Sequence, residues 1–215
     1  MPRTAIGVPP GLARRSNRVL RPRDAAQVYA HPRAELARLT RIGALRHVAT
    51  GYYVLVPLDR LGDDRWTPDL DAIALGMAGA DYGARLVTLV GASAARHHGA
   101  IPRALAVAIV AVPKQRSPVQ TSSGRVVFVK RDVTRLDTER IDTSLAPGWV
   151  TTMEQTLLDL AARPTLGGLT EADSREAIAS LATRVDWNLV QQLATDQRQP
   201  SAFRAALLVA GRDRA

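Results

Sequence analysis

Two sets of side chains in this sequence are of types that do chemistry. The first is Ser93-Ala94-Ala95-Arg96-His97-His98-Gly99, where Ser93 and His97 stand four apart and so share one helical face. That spacing invites a nucleophile–base reading. A hydrolytic serine, however, needs a strained turn and an oxyanion hole, as in G-x-S-x-G, and Gly91-Ala92-Ser93 meets only half of that pattern. Adjacent histidines on a helix point about 100° apart, which argues against His97 and His98 sharing one metal ion. A capping or packing role is expected for them. No catalytic residue, metal ligand or cofactor is assigned.

The second set is a run of arginines with small neighbours. Residues 22–57 read as helix, tight turn, helix and two-stranded ribbon, the layout of a winged helix-turn-helix. The second helix opens at Pro32 and ends at Ile42-Gly43, where glycine suits the left-handed position after a helix. Leu36, Leu39 and Ile42 recur every three residues and are expected to face inward. The outer face then carries Arg33, Ala34, Ala37, Arg38, Thr40 and Arg41, a set suited to phosphates, guanine edges and thymine methyls. Ala44–Ala49 and Tyr52–Val56 form the ribbon around Thr50-Gly51, with Arg46, His47 and Thr50 near the tip as wing contacts. The bland alternative is a solvated amphipathic helix packed on a hairpin.

Charge favours the first reading. The chain has 215 residues and a net charge of +9. Residues 1–60 hold 11 Arg and Lys against 3 Asp and Glu, a net of +8, while the remainder holds 18 against 17. A single-sign field on one module is the footprint of a polyanion binder. No apolar face rich in Phe or Trp accompanies it, so a membrane surface is the poorer partner and duplex DNA the better one. The chain has no cysteine, which excludes disulfides and thiolate metal sites. The first fifteen residues show no apolar leader core, and no apolar run approaches the length of a membrane span. A cytoplasmic, nucleoid-associated protein is expected.

Along the chain, residues 1–11 read as irregular and Leu12–Leu20 as a first helix, with Leu12, Val19 and Leu20 inward and Arg14, Arg15 and Arg18 outward as phosphate contacts. Residues 58–68 read as a linker. The pattern then predicts helices over 69–80 and 86–99, strands over 104–112 and 125–131, irregular chain over 132–148, and a strand entering a helix at Trp149–Leu160. Thr152 and Gln155 have the spacing of a capping box. Three closing helices follow, over 170–182, 186–194 and 201–211. Walker, dinucleotide-binding and H-E-x-x-H signatures are absent. Lys114 and Lys130, the only lysines, lack the clustered carboxylates a nuclease would want; Asp132 more naturally ends a strand.

In order and spacing these segments resemble the AbiEi-type antitoxins of abortive-infection toxin–antitoxin operons, including mycobacterial members. The segments that carry the resemblance are ELARLTRIGALRHVATGYYVLVP (35–57), SAARHHG (93–99), the strands at 105–112 and 125–131, WVTTMEQTLLDLAARP (149–164) and FRAALLVAG (203–211). Glu154 and Leu157-Leu158-Asp159-Leu160 stand where the family has its ER-x-LLDL helix, but Gln155 replaces the common arginine. The resemblance implies an α+β protein: an N-terminal winged helix-turn-helix domain (1–60), then a mixed α+β antitoxin domain (69–215) with a few strands and a helical end. It implies an autorepressor that binds inverted repeats in its own promoter and counters a nucleotidyltransferase-like toxin, with or without a stable complex.

Two further readings stay open. One is a protein- or RNA-interaction module with a basic docking surface, which requires no sequence preference among duplexes. The other is a DNA-directed enzyme using Ser93, His97 and His98.

Overall fold

The fold is built around two sheets that one helix brings together. In the computed structural model, which describes residues 7–212, the first sheet has three antiparallel strands in the order β1 (Val19–Leu20), β3 (Tyr52–Leu55), β2 (Leu45–Ala49). Of the irregular chain expected for residues 1–11, residues 1–6 lie outside the described residues, and Pro10 and Gly11 open a short helix instead. Three helices precede the hairpin: α1 (Pro10–Ala13), α2 (Pro22–Ala25) and α3 (Pro32–Arg41), each opening on proline, whose fixed φ suits a first helical turn.

α3 stops where the sequence says it should. Gly43 adopts φ +74°, Ala44 N–H donates to Leu39 O at 3.0 Å, and Gly43 N–H donates to Thr40 O at 3.1 Å. These two bonds are a Schellman cap. Leu36 and Leu39 are fully buried, but Ile42 is 44% exposed. A three-residue repeat drifts by about 60° per step on a 3.6-residue helix, and Ile42 is already the capping residue, so it leaves the inner face.

Strand alternation sends the first sheet into two cores at once. Leu20, Leu45 and Leu55 pack with Leu12, Leu36 and Leu39, whereas Val19, Val48, Tyr52 and Val54 pack with Ile73 and Met77 of α4 (Leu70–Tyr82). The expected helix over Leu12–Leu20 is instead a single turn, a bend and strand β1. All three of its inward apolar residues are buried as expected, but Val19 and Leu20 pair with Val54 and Tyr53. β1 crosses α4 at Gly76, where an added Cβ would overlap Val19 Cγ2.

The second sheet is mixed, in the order β6-β7-β5-β4-β9-β8: Val119–Thr121, Gly124–Lys130, Val107–Val112, Thr88–Leu89, Pro147–Thr151 and Thr138–Asp142. β5 explains its own apolar run, since Ala108, Val110 and Val112 face α4 while Ile109 and Ala111 face the helices on the other side. Those helices are α5 (Gly91–His97), α6 (Met153–Ala162), α7 (Glu171–Ala182), α8 (Trp187–Asp196) and α9 (Pro200–Val209). The molecule is thus mixed α+β.

Three local expectations are corrected. The span 86–99 divides into β4 and α5, because Thr88 and Leu89 are taken into the sheet. The span 132–148 contains β8, an edge strand whose exposed residues hide its pattern. Thr152 caps α6 by accepting from Gln155 N–H at 3.4 Å, but the Gln155 side chain turns inward to Asp159, Asp137 and Gln197 and completes no capping box.

Candidate nucleic-acid interface

Arg33, Ala34, Ala37 and Arg41 form the exposed face of α3. Arg33 and Arg41 lie eight residues apart, about 12 Å along the axis, with small alanine side chains between them. Neither has an acidic partner within salt-bridge distance among the described residues, and the same holds for exposed Arg14 at the end of α1.

The other expected contacts are held internally. Arg38 Nε donates to Glu35 Oε2 at 2.9 Å one turn back, and this bond holds its guanidinium more firmly protonated. Thr40 Oγ1 donates to Leu36 O at 2.8 Å, which satisfies the hydroxyl within the helix. Arg15 pairs with Asp24 at 3.2 Å, and Arg18 Nη1 donates to Ala13 O at 3.3 Å. Arg46 Nη2 donates to Asp63 O at 2.7 Å across a groove of about 500 Å³ whose walls include Thr40, Arg41, His47 and Arg60.

The hairpin tip is braced. Thr50 and His47 are exposed, with His47 edge-on to Tyr53 at 5.2 Å between ring centroids. Val48 and Ala49 beside them are buried, and Val48 O accepts from Ser122 N–H at 2.9 Å in the β6–β7 turn.

One set of residues escaped the sequence reading altogether. Asp81, at the end of α4, receives Arg21, Arg23 and Arg116, and accepts from the Tyr52 hydroxyl at 2.6 Å. Arg116 also lies over the Phe128 ring at 4.1 Å. Two of the basic residues counted toward a DNA-binding field therefore serve to dock the hairpin module on α4. Partners of Asp81 that lie 29 to 60 positions away leave no local signal.

The serine–histidine segment has a different use. Ser93 is fully buried: its hydroxyl donates to Asp71 Oδ1 at 2.9 Å and accepts from Ile109 N–H at 2.9 Å. Arg96 completes the pair with Asp71, whose carboxyl burial raises above its usual range against the opposing pull of Arg96. Such a serine cannot reach a substrate. His97 lies at the surface, and partial desolvation of its ring, followed by the neighbouring His98, lowers its pKa.

Sequence comparison accounts for this half of the molecule. The family model described as the AbiEi antitoxin C-terminal domain matches residues 86–209. The chain belongs to the AbiEi antitoxin family. Among curated proteins, none matches it in sequence. The fold is similar to the crystal structure of the RV2827C protein from Mycobacterium tuberculosis, with a TM-score of 0.63 and 22% identity over 95% of this chain and 75% of that one. AbiEi membership fits an antitoxin role, and the matched region holds the mixed sheet from β4 onward together with α5–α9. No helix among the described residues is long and apolar enough to cross a membrane.

Proposed function

We propose that this AbiEi-family chain is a DNA-binding autorepressor as well as an antitoxin. Residues 1–60 act as a winged helix-turn-helix, with α3 in the major groove of inverted repeats in the operon's own promoter. Residues 69–215 act as the antitoxin domain that counters a nucleotidyltransferase-like toxin, directly or indirectly. The protein works in the cytoplasm at the nucleoid.

The observation that carries this reading is the outer face of α3, where Arg33 and Arg41 stand exposed, without acidic partners among the described residues, and flank alanines. Arginine forks there suit phosphate oxygens and guanine edges, and alanine permits close approach. Arg14 adds a phosphate contact. Arg38 and Thr40 support the helix face, Arg46, His47 and Thr50 line the wing side, and Arg15 and Arg18 stiffen the approach to β1.

A second reading, a protein- or RNA-docking module without sequence preference, is favoured by the internal use of Arg15, Arg21, Arg23 and Arg38, which leaves less free charge than the sequence count implies. A gel-shift titration on the chain's own upstream region and on a shuffled duplex, at two salt concentrations, separates the two. The repressor reading requires saturable binding to the upstream region that survives moderate salt. Equal, salt-sensitive binding to both duplexes transfers the case to the docking module.

A further inference from the structure

α5 ends in a Schellman cap of its own: Gly99 takes φ +72°, Gly99 N–H donates to Arg96 O at 3.0 Å, and Ala100 N–H donates to Ala95 O at 2.8 Å. His98 is the capping residue, and its ring meets that of His97 edge-on. The two rings come to 5.2 Å between centroids. The rings of these adjacent histidines, expected to diverge, instead converge at the end of α5.

The buried His98 ring is oriented by the sheet. Its Nε2 lies 2.7 Å from Thr151 O on β9. A carbonyl only accepts, so Nε2 carries the proton and Nδ1 keeps its lone pair. That lone pair faces β8, where Glu139 Oε1 stands 3.9 Å away. The donor atoms of His97, His98 and Glu139 all lie within 4.8 Å of one another.

We propose that His97, His98 and Glu139 bind a divalent transition-metal ion of the Zn2+ class. Two imidazoles and a carboxylate suit such an ion, and a carbonyl fixing the tautomer of a ligating histidine is the usual outer-shell support. Bonds of about 2.0–2.1 Å place tetrahedral donors roughly 3.3 Å apart. The cluster therefore closes by up to about 1.5 Å, through rotation of the exposed His97 and Glu139 side chains. Three protein donors leave one position for water. The bound ion clamps the end of α5 to the β8 edge.

Titration of the untagged full-length chain with Co2+ as a visible probe, followed by Zn2+ competition, tests the site. One saturable site per chain with the intense visible absorption of tetrahedral Co2+ is expected. His97→Ala and Glu139→Gln, both at exposed positions, are each expected to weaken binding by about tenfold or more. A His31→Ala/His47→Ala double variant is expected to bind as the parent does. Absence of saturable binding overturns the proposal, as does binding that His97→Ala and Glu139→Gln leave unchanged.

Discussion

The Tyr52 hydroxyl donates to Asp81 Oδ2 at 2.6 Å and so ties the second strand of the hairpin to the last turn of α4. Burial, then the bond to Asp81, raises the phenol's pKa above its ordinary value. Because Arg21, Arg23 and Arg116 converge on the same carboxylate, this contact is the polar edge of the apolar seam formed by Val19, Val54, Ile73 and Met77. The fixed relation of α3 and its hairpin to α4 rests on that seam.

Asp81→Ala is expected to destabilise the chain by about 2 kcal/mol in urea unfolding. Removing a buried acceptor from several cations is costly, but the arginines here are 23–56% exposed, which tempers the loss. Tyr52→Phe removes a single bond and is expected to cost about 1 kcal/mol.

Arg33→Ala and Arg41→Ala are expected to weaken duplex binding, and each that contacts phosphate lowers the salt slope by about one. A base-reading role for Arg41 costs roughly 1–3 kcal/mol of discrimination and relaxes specificity at one position. Arg14→Ala is expected to weaken all duplexes alike. Arg38→Ala, whose side chain is bound to Glu35, is expected to have a smaller effect than Arg41→Ala. Salt-dependent gel shifts on matched and mismatched duplexes distinguish these roles; equal losses from all four variants defeat the assignment.

Ser93→Ala leaves the buried Ile109 N–H without its acceptor and Asp71 Oδ1 without its hydroxyl donor, while Arg96 stays on Oδ2. A loss of about 1–3 kcal/mol is expected. Duplex affinity measured well below the unfolding transition is expected to stay at the parent level, since the residue lies in the core and away from α3.

Asp159 is buried against Arg131 and Gln155, with Oδ2 lacking a hydrogen-bond partner among the described residues. Desolvation raises its pKa above the usual carboxylate value, against the opposing pull of Arg131. The folded chain then binds more protons than the unfolded one, so this group's contribution is most favourable below the unfolded carboxylate pKa. It declines as pH rises toward the folded pKa. Asp159→Asn is expected to flatten that decline, read as urea midpoints at successive pH values from mildly acid to neutral. An unchanged profile would show that the Arg131 pairing outweighs burial.

Much of the local structure was legible in the sequence because its causes are local. Pro32, the Leu36 and Leu39 spacing and Gly43 define α3 to within a residue, and Thr50-Gly51 marks the hairpin turn. β8 and the splitting of 86–99 were hidden, since an exposed edge strand lacks alternation and a two-residue strand is too short to show a period.

The sequence by itself determined the family, through motifs in order, and the outer face of α3, through helical periodicity. Apart from the local i,i+3 pair of Arg38 with Glu35, only the tertiary structure decided which of these arginines have acidic partners among the described residues. Arg14, Arg33 and Arg41 and their bonded neighbours Arg15, Arg21, Arg23 and Arg38 are the same residue type, separated only by where the fold places Asp24, Asp81 and Glu35. The same holds for Ser93, His98 and Glu139, whose partners come from other elements. A side chain's chemistry depends on what lies within a few ångströms, and for these residues the chain supplies most of that from distant positions.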